Sequence, residues 1–413
     1  VFEPRSIAVF GASRRQGSVG QAIMRNLVSG GYAGKIFPIN NRYPSVAERK
    51  CVSSLDDLKQ TVDLAIIATP IGTVPDIVHR CAQKGVGGAV IISSGGKEIG
   101  TAGRGIEKRI REAAGTNLRL VGPNCVGLFS AKVAMHASFA AHTPMEGNLA
   151  FISQSGAVCT TVLARSMREN IGLRYFVSLG SMLDVDFGDM IDFFGTDPKV
   201  SSIIAYMESL THARKFMSAA RSVARVKPII VFKAGRTIAG AAAATSHTGA
   251  MAGADAAYDA AFDRAGIVRV HTFEEMFDCA EFLSRRLRPQ GKRLGIITNA
   301  GGPGVMAVDA LIQMNGELAI LSKTTRAKLD QILPDHWSGA NPVDILGDAK
   351  PVLFREAAEI LMASGEIDGL LMIYAPVAVS ASGAVARELA RIQRQAAFPV
   401  IASWVGGIEL AED

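Results

Sequence analysis

The stretch that decides the fold is RSIAVFGASRRQGSVG, residues 5–20. Its apolar run ends in Gly11, a turn containing Gly17 and Gly20 follows, and an apolar helical pattern then continues to Val28. This order of strand, glycine-rich turn and helix is typical of a Rossmann-like mononucleotide fold. The free N–H groups of such a turn and the dipole of the helix can hold a phosphate group. We therefore predict a phosphate-containing ligand at this turn.

The second predicted strand, residues 35–40, ends in Asn40-Asn41-Arg42. Proteins that bind NAD usually carry an acidic residue at this point, where it accepts hydrogen bonds from the ribose hydroxyls. The residues here are neutral or basic, and the first turn also departs from the G-x-G-x-x-G spacing. Both features disfavour a nicotinamide-dependent dehydrogenase and favour a phosphate-rich nucleotide.

Strand and helix patterns then alternate as far as residue 127, which predicts a parallel, doubly wound sheet. In such a sheet the ligand lies against the loops that follow the carboxyl ends of the strands. The loops predicted at this edge are Gly11, Thr69-Pro70, Ser93-Ser94-Gly95 and Gly122-Pro123-Asn124. We expect these loops to line one crevice.

A second unit is predicted after a looser stretch at residues 128–148. Its first strand runs into SQSG, residues 153–156, and a helical pattern follows to Met167. Two serines and free N–H groups at a helix start can hold an anion. N-capping by serine explains one of the two serines but not the whole turn. The G-x-S-x-G pattern of a hydrolase nucleophile is absent from this turn.

A histidine and a glutamate follow in the same unit. His247 stands in AATSHTGAMAG, residues 243–253, between a predicted strand over 228–233 and a predicted helix over 255–264. The small neighbours allow a ligand or another backbone to approach the imidazole closely. Glu208 ends another predicted strand, so we expect its carboxylate to face the same crevice, where it can orient an imidazole.

A third unit repeats this order after a basic connector at residues 285–292. A strand over residues 294–298 leads to NAGGPG, residues 299–304, and a helix follows. Strand and helix patterns continue to Trp404, which predicts a flavodoxin-like unit.

The composition of the 413 residues is typical of a folded protein with more than one domain. The net charge of +6 comes without a dense Lys/Arg tract, which disfavours a nucleic-acid partner and suits anionic substrates. The five scattered cysteines lack metal-ligand spacing, and we find no signal peptide or membrane span. Asp184, Asp186 and Asp189 lack the spacing of a calcium loop, so we expect helix capping and solvent exposure as their roles. These features predict a cytoplasmic protein without a structural metal.

Taken together, the motifs resemble those of the NDP-forming acyl-CoA synthetases, which include ADP-forming acetate–CoA ligase and belong to the succinyl-CoA synthetase superfamily. The motifs are the turn at 11–20, GPNCVG at 122–127, SQSG at 153–156, SHTGA at 246–250, NAGGPG at 299–304 and NPVD at 341–344. The resemblance implies an α/β chain with a Rossmann-like CoA-binding domain followed by two flavodoxin-like succinyl-CoA-synthetase-like domains. The expected bounds are 1–127, 128–287, which carries the phosphohistidine loop, and 292–413.

The resemblance also implies a phosphohistidine relay, in which a carboxylate, phosphate and CoA are linked through an acyl-phosphate. His247 matches the histidine that carries the phosphoryl group, and Glu208 matches its carboxylate partner. The residues matched to phosphate binding are Ser153, Ser155, Gly156, Gly301, Gly302 and Gly304. Relatives often have a lysine where Arg42 stands, and the residues matched to CoA binding are Gly11, Ser13, Arg14, Gly17, Arg42, Thr69, Pro70, Ser93, Glu98 and Asn124.

The family's ATP-grasp domains, which bind ATP or ADP with Mg2+, have no counterpart in this sequence. We expect them on a longer polypeptide or on a partner subunit, within an oligomer, and the end of the sequence at Asp413 favours the longer polypeptide. The alternative is an acyl-CoA-sensing region of a protein lysine acetyltransferase. Several such regions have lost the histidine, so the presence of His247 favours the ligase. Acetate, propionate, branched acids and aryl acids all stay open as the acyl group.

Overall fold

The computed structural model describes residues 1–242, 254–284, 287–377 and 382–406. The chain forms two compact units, Val1–Arg285 and Arg286–Asp413. The first unit contains two large sheets and a short two-stranded hairpin, and the second unit contains one further sheet. Within the described ranges, no helix has the length and apolar character needed to cross a membrane.

The first sheet and its small hairpin use the strands β1 Ser6–Phe10, β2 Lys35–Ile39, β3 Ser45–Val46, β4 Arg49–Lys50, β5 Leu64–Ile67, β6 Gly88–Ile91 and β7 Arg119–Val121. The helices are α1 Val19–Ser29, α2 Val74–Gln83 and α3 Thr101–Ala114, with 3-10 turns at Leu55–Asp57, Ile71–Thr73 and Lys97–Ile99. The sheet order is β2-β1-β5-β6-β7, and every neighbouring pair is parallel. The predicted parallel sheet is therefore confirmed.

Strand β1 is buried on both faces, because its alternating side chains meet two different helix layers. Ile7 and Val9 pack in one core with α1, whereas Ala8 and Phe10 pack in another core with α2 and α3. The sheet is thus doubly wound, and its strand order reverses between β1 and β5. A ligand is expected outside the carboxyl ends of the strands at this switch point.

The second sheet lies in the same unit and has the order β14-β13-β12-β10-β11-β8-β9. Its strands are β8 Gly127–Ser130, β9 Met135–Ser138, β10 Glu146–Ser153, β11 Leu173–Ser178, β12 Ser202–Met207, β13 Ile229–Lys233 and β14 Val268–Val270. The helices are α4 Gly156–Arg168, α5 Phe187–Thr196, α6 Ala213–Val223, α7 Asp255–Ala265 and α8 Phe273–Ser284, with a 3-10 turn at Ala131–Val133. Asp186 and Asp189 form the capping box of α5, which confirms the capping expected for these two aspartates.

Strands β8 and β9 belong to this sheet, although the sequence pattern did not predict them. They form an antiparallel hairpin on the edge of β11, where we expected only a loose stretch. The hairpin is held to α1, because the buried Asn26 donates from Nδ2 to the carbonyl oxygens of Ser138 and Ala140 at 2.9 and 2.8 Å. The two sheets of the first unit therefore share packed contacts.

A fully buried histidine lies in this hairpin. The Nε2 atom of His136 is 2.9 Å from Ser138 Oγ, and its Nδ1 atom is 3.3 Å from Thr143 Oγ1. Burial, and secondarily the charge of Arg25, lowers the pKa of His136 to about 4. The imidazole is therefore neutral in the folded protein at neutral pH.

We expect His136 to make the first unit less stable as the pH falls. The unfolded chain binds a proton at this side chain near its ordinary pKa of about 6.5, whereas the folded chain does so only near pH 4. The stabilisation is complete above the unfolded pKa and is lost between about pH 6.5 and 4, with a total of about 3 kcal/mol by linkage. Chemical unfolding measured at several pH values should show a shallower pH dependence for His136→Gln than for the wild type; equal slopes would contradict the prediction.

The second unit is one parallel sheet with helices. Its strands are β15 Arg293–Thr298, β16 Glu317–Leu318, β17 Val343–Asp344, β18 Gly369–Tyr374 and β19 Val400–Trp404. Its helices are α9 Gly301–Gln313, α10 Lys323–Asp330, α11 Pro351–Ser364 and α12 Ser382–Gln395. The order is β16-β15-β18-β19, with β17 also paired to β15, and all pairs are parallel. The βα alternation predicted for this unit is confirmed.

Candidate active site

One open cleft of about 670 Å³ in the first unit collects loops from both of its sheets. Loops that follow β5, β6 and β7 line it from the first sheet, and the turns after β10 and β12 line it from the second. The predicted site residues that line this cleft are Thr69, Pro70, Ser93, Glu98, Asn124, Ser155, Gly156 and Glu208. The fold thus brings predicted CoA-binding and predicted phosphate-binding residues into one cavity.

Other predicted CoA contacts lie at the ends of β1 and β2 but do not line this cleft: Gly11, Ser13, Arg14, Gly17 and Arg42. The glycine-rich turn after β1 approaches the cleft at Gly11. A Cβ on Gly11 would lie 2.5 Å from the carbonyl oxygen of Ala68, which lines the cleft. Arg14 is exposed and donates to the backbone oxygen of Ser45 at 2.6 Å, and Arg42 is exposed as well.

The loops from the first sheet are fixed by polar contacts at the cleft. Ser93 Oγ donates to the carbonyl oxygen of Thr69 at 2.6 Å, and Glu98 Oε1 accepts from the Gly95 N–H at 2.7 Å. Lys97 also lines the cleft, although we did not predict it as a site residue. Its Nζ donates to the carbonyl oxygen of Ser181 at 2.8 Å, and burial lowers the pKa of this lysine despite nearby carboxylates. The GGKE sequence after β6 was the available signal for this cation.

The turn between β10 and α4 separates the two serines that we expected to act together. Ser153 is fully buried, and its hydroxyl accepts from the Ser155 N–H at 3.1 Å and donates to the Ser155 carbonyl at 2.8 Å. Ser153 is the last residue of β10 and is not among the residues that line the cleft, so its hydroxyl shapes the turn. Ser155 caps α4 by accepting from the Val158 N–H, and together with Gly156 it lines the cleft.

Gln154 is a cleft residue that sequence reasoning missed. Its Oε1 accepts from the N–H groups of Glu208 and Ser209 at 2.9 and 3.0 Å, and its Nε2 donates to Ser209 Oγ at 2.9 Å. Gln154 thereby ties the start of α4 to the turn after β12. The Glu208 carboxylate lies close to Tyr206, and burial together with this carboxylate raises the pKa of Tyr206 to about 12. The position of Glu208 relative to the turn at Ser155 is therefore set by Gln154.

His247 and its loop lie outside the described residues. The strand before this loop, β13, pairs with β12 and ends in Lys233, which is 1 % exposed. The Nζ of Lys233 lies 4.5 Å from the ring centre of Tyr258, and burial lowers the pKa of this lysine, although the nearby Asp255 raises it. A buried cation therefore lies at the edge of the sheet that also carries Glu208.

The second unit contains a turn built in the same way as the one at Ser153. Thr298 Oγ1 donates to the Ala300 carbonyl at 2.8 Å and accepts from the Ala300 N–H at 3.0 Å. Asn299 stands where Gln154 stands in the first unit, and it exchanges two hydrogen bonds with the backbone of Ala375. Helix α9 then begins at the predicted residues Gly301 and Gly302, which are exposed, while the predicted Gly304 is buried. This unit thus presents a second glycine-rich helix start.

Comparison with known proteins agrees with the fold and the cleft described above. Residues 5–131 match the model of a CoA binding domain, residues 146–283 that of a succinyl-CoA ligase like flavodoxin domain, and residues 294–413 that of a ligase-CoA domain. Fold, cleft and matches together define a protein of the CoA-ligase class.

Individual relatives narrow this class. Acetate–CoA ligase [ADP-forming] I of Archaeoglobus fulgidus is 42 % identical over 92 % of this chain, which corresponds to 55 % of that protein. The alpha subunit of acetate–CoA ligase [ADP-forming] I of Pyrococcus furiosus is 38 % identical over the whole chain and 90 % of its own length. The structure of dinucleotide forming acetyl-coenzyme A synthetase 1 of Ca. Korarchaeum cryptofilum, in complex with phosphate and ADP, superposes with a TM-score of 0.96 at 36 % identity, over the whole chain and 89 % of that chain.

The chain belongs to the family of ADP-forming acetate–CoA ligases, which confirms the resemblance stated from the motifs. It spans about half the length of the Archaeoglobus fulgidus relative and of a Methanocaldococcus jannaschii relative, but most of the Pyrococcus furiosus alpha subunit.

Proposed function

We propose that this chain is the CoA-binding and phosphoryl-relay part of an ADP-forming acyl-CoA ligase. The observation that carries the proposal is the shared cleft, in which the loops at Ser93 and Asn124 meet the turn at Ser155 and the carboxylate residue Glu208. Acyl transfer between a phosphate and a thiol requires both groups to reach one carbonyl carbon, and a single cavity meets this requirement.

The part of the proposed reaction that takes place on this chain has two steps. In the direction of acyl-CoA breakdown, a phosphate oxygen attacks the thioester carbonyl, and the C–S bond breaks to release the CoA thiol and an acyl-phosphate. An imidazole nitrogen of His247 then attacks phosphorus, and the carboxylate leaves. We assign His247 the nucleophilic role and Glu208 the role of holding the imidazole in its reactive orientation.

The N-terminal ends of helices supply the partial positive charge that stabilises the acyl-phosphate and the phosphohistidine. The N-terminal end of α4, which begins at Gly156 after the cap residue Ser155, favours a bound phosphoryl group by up to about 2 kcal/mol in partly buried geometry. It does so without an acidic proton that would promote hydrolysis of a phosphohistidine. We propose the same function for the helix start at Gly301, Gly302 and Gly304, and a structural role for Ser153 within the turn.

In this proposal CoA binds to the loops at the carboxyl edge of the first sheet. The glycine turn at Gly11 and Gly17 leaves room for a pyrophosphate, because a Cβ at Gly17 would meet nothing within 4 Å. Ser13, Arg14 and Arg42 are polar or cationic groups on the same edge of the sheet. Thr69, Pro70, Ser93, Glu98 and Asn124 would follow the pantetheine toward the thiol, since they line the cleft.

We propose that the transfer of the phosphoryl group to or from the nucleotide takes place on ATP-grasp domains, which bind ATP or ADP with Mg2+. They would belong to the same polypeptide or to a partner subunit, within an oligomer. The named alpha subunit of Pyrococcus furiosus supports a partner of this kind, and the Korarchaeum relative was solved with phosphate and ADP.

The proposal is tested with the half-reaction in which acetyl-CoA and phosphate phosphorylate the chain, because this half-reaction does not need the ATP-grasp domains. The chain is incubated with phosphate and acetyl-CoA, and its intact mass is measured under alkaline conditions, which preserve phosphohistidine. We expect one phosphoryl group per chain and release of an equal amount of CoA thiol. Tight binding of acetyl-CoA without any phosphoryl transfer would contradict the proposal and point to an acyl-CoA sensor.

Removing the side chain of Gln154 is expected to slow the relay. Gln154→Ala leaves two buried N–H groups, those of Glu208 and Ser209, without their acceptor, and this frees the turn that carries Glu208. A loss of about 1–3 kcal/mol corresponds to a rate of phosphorylation that is lower by about 5-fold to 150-fold. The KM for acetyl-CoA should change less than twofold, because the side-chain amide of Gln154 makes its hydrogen bonds to Glu208 and Ser209 in the turn after β12.

The control for this variant is Gln83→Ala, which removes an exposed glutamine of α2. Rates of phosphorylation would be measured for both variants by quenched-flow mass spectrometry. Equal rates in the two variants, or a change confined to KM, would show that Gln154 does not position Glu208.

A further inference from the structure

Lys233, the last residue of β13, is a buried cation that has no role in the two reaction steps proposed above. Its side chain is 1 % exposed, and burial lowers its pKa. Lysine is almost never fully buried unless its charge is compensated, because removal of the ammonium group from water is costly. An apolar side chain would fill the same space without this cost. The groups around Lys233 therefore indicate what its charge is used for.

The backbone of Lys233 lies beside the strand that leads to Glu208. Strands β12 and β13 are parallel, and their last residues, Met207 and Lys233, are partners in the ladder. One residue further on, the Ala234 N–H donates to the Met207 carbonyl at 2.8 Å. The Nζ of Lys233 donates to the Ala234 carbonyl, and the nearby Glu208 carboxylate raises the pKa of this lysine. The ammonium group therefore lies at the carboxyl edge of the sheet, near Glu208.

The aromatic partner of Lys233 comes from the other side of the segment that contains His247. The ammonium nitrogen lies 4.5 Å from the ring centre of Tyr258, which is buried near the start of α7. This is a cation–π contact, and such contacts are strongest where water is excluded. In the sequence, residues 243–253 lie between Lys233 and Tyr258. One contact therefore joins the strand before this segment to the helix after it.

The start of α7 is also held by charges on the next strand. Asp255, the first residue of α7, raises the pKa of Lys233, whereas Arg269 on β14 lowers it. Arg269 donates from Nη2 to Asp255 at 2.6 Å and also pairs with Asp259. The carboxylate of Asp255 thus lies between two buried cations, and α7 is fixed to both β13 and β14.

Tyr258 also contacts the turn that carries Glu208. Leu210, two residues after Glu208, packs against the core that contains Tyr258. A hydrogen bond from the Leu210 backbone opposes the rise in the pKa of Tyr258 that burial causes. Tyr258 is therefore held between the turn of Glu208 and the ammonium group of Lys233.

We propose that Lys233 is a positioning residue for the phosphoryl relay, which acts by holding both ends of the His247 segment next to Glu208. This inference rests on the proposed function. Through Tyr258, the ammonium group fixes the point where the segment leaves β13 and the point where it enters α7. The imidazole of His247 then approaches phosphorus in the orientation that Glu208 supports. A misplacement of about 1 Å in such a step can lower the rate about a hundredfold.

The experiment separates positioning from stability and from CoA binding. Wild type, Lys233→Met, Tyr258→Leu and Tyr258→Phe are incubated with acetyl phosphate or, separately, with acetyl-CoA and phosphate. The initial rate of chain phosphorylation is measured by intact mass under alkaline conditions. With acetyl phosphate, an imidazole nitrogen attacks phosphorus and acetate leaves, so this donor tests the second step without CoA. Calorimetric titration with CoA and thermal unfolding are measured on the same variants.

The matched control is Lys227→Met, near the opposite end of the same strand. Lys227 is half-buried just before β13, and its Nζ donates to the carbonyl oxygen of Phe194 at 3.1 Å. Burial lowers the pKa of Lys227 as well. The control therefore removes a similar cation at the amino end of β13, away from Glu208.

We expect Lys233→Met and Tyr258→Leu to be phosphorylated at least about tenfold more slowly at saturating acetyl phosphate. The KM for acetyl phosphate and the affinity for CoA should change less than twofold. The thermal stability of Lys233→Met should not fall, because methionine fills a similar volume without a buried charge. Tyr258→Phe keeps the ring and should lose less than about threefold in rate, and Lys227→Met should keep the wild-type rate.

Wild-type rates in Lys233→Met and Tyr258→Leu would overturn the inference and leave the proposed function standing. A slower Lys233→Met would also overturn it if Lys227→Met slowed equally or if the affinity for CoA fell as well, since both results indicate a general effect on the fold. A wild type that takes up no phosphoryl group from either donor would overturn the inference and the proposed function together. Where thermal unfolding identifies a misfolded Lys233→Met, the comparison of Tyr258→Leu with Tyr258→Phe decides.

Discussion

A chain with alanine at position 247 is expected to take up no phosphoryl group from acetyl-CoA and phosphate. Removal of the imidazole removes the nucleophile of the second step, and no neighbouring residue in residues 243–253 offers another nitrogen side chain. The acyl-phosphate can still form, because the first step uses phosphate itself as the nucleophile. In the complete enzyme, ATP-dependent synthesis of acyl-CoA should fall by at least about a thousandfold, as expected when a covalent route is lost.

The experiment for His247→Ala uses His271→Ala as its control, since His271 is exposed and lies in the same unit. Intact mass under alkaline conditions measures the phosphorylated fraction, and a thiol reagent measures the CoA released. Full labelling of the His247→Ala variant would exclude the relay at this residue. Loss of labelling in both variants would instead indicate a general effect on the fold, which thermal unfolding would reveal.

The second large effect is expected at Gly20, in the first turn of α1. A Cβ there would overlap the carbonyl oxygen of Gly11 and lie 2.9 Å from its carbonyl carbon. Both atoms belong to the backbone, so relief requires α1 to move away from the end of β1. We expect Gly20→Ala to lower the free energy of unfolding of the first unit by about 3 kcal/mol and to weaken CoA binding at least tenfold.

Gly105→Ala is the matched control for Gly20→Ala. Gly105 is also helical, but a Cβ at this position of α3 meets nothing within 4 Å. Alanine should therefore stabilise the unit there, by up to about 1 kcal/mol, through its higher helix propensity. Chemical unfolding and calorimetric titration with CoA measure both variants. Equal stability and equal affinity for CoA in Gly20→Ala and the wild type would refute the close approach of α1 to β1.

Much of the fold could be predicted from local patterns. The run that ends in Gly11 is apolar without alternation because β1 is buried on both faces, and such runs mark the strands of parallel sheets. The hairpin of β8 and β9 could not be predicted in this way. Its residues include Ser130, His136 and Ser138, which are polar yet fully buried, and their burial depends on α1 and β11, which are distant in sequence.

The candidate site was predictable in its location but not in its detail. Turns at strand ends pointed to Ser155, Gly156 and Glu208, because carboxyl ends of parallel strands share one edge. The separate roles of Ser153 and Gln154 depend on which way consecutive side chains point at the end of β10. Lys97 became a cleft residue only through the packing of its loop beside Ser181, which lies in the turn after β11 of the other sheet.

The sequence alone determined the α/β class, the order of strands and helices, and the family, because each depends on residue types at short spacing along the chain. It also determined His247 as the residue proposed to carry the phosphoryl group, through the motif around it. Only the tertiary structure decided that the loops at Ser93 and Asn124 and the turn at Ser155 line the same cavity. The two sheets meet there through contacts between residues far apart in sequence, and no local pattern encodes the distance across a cleft.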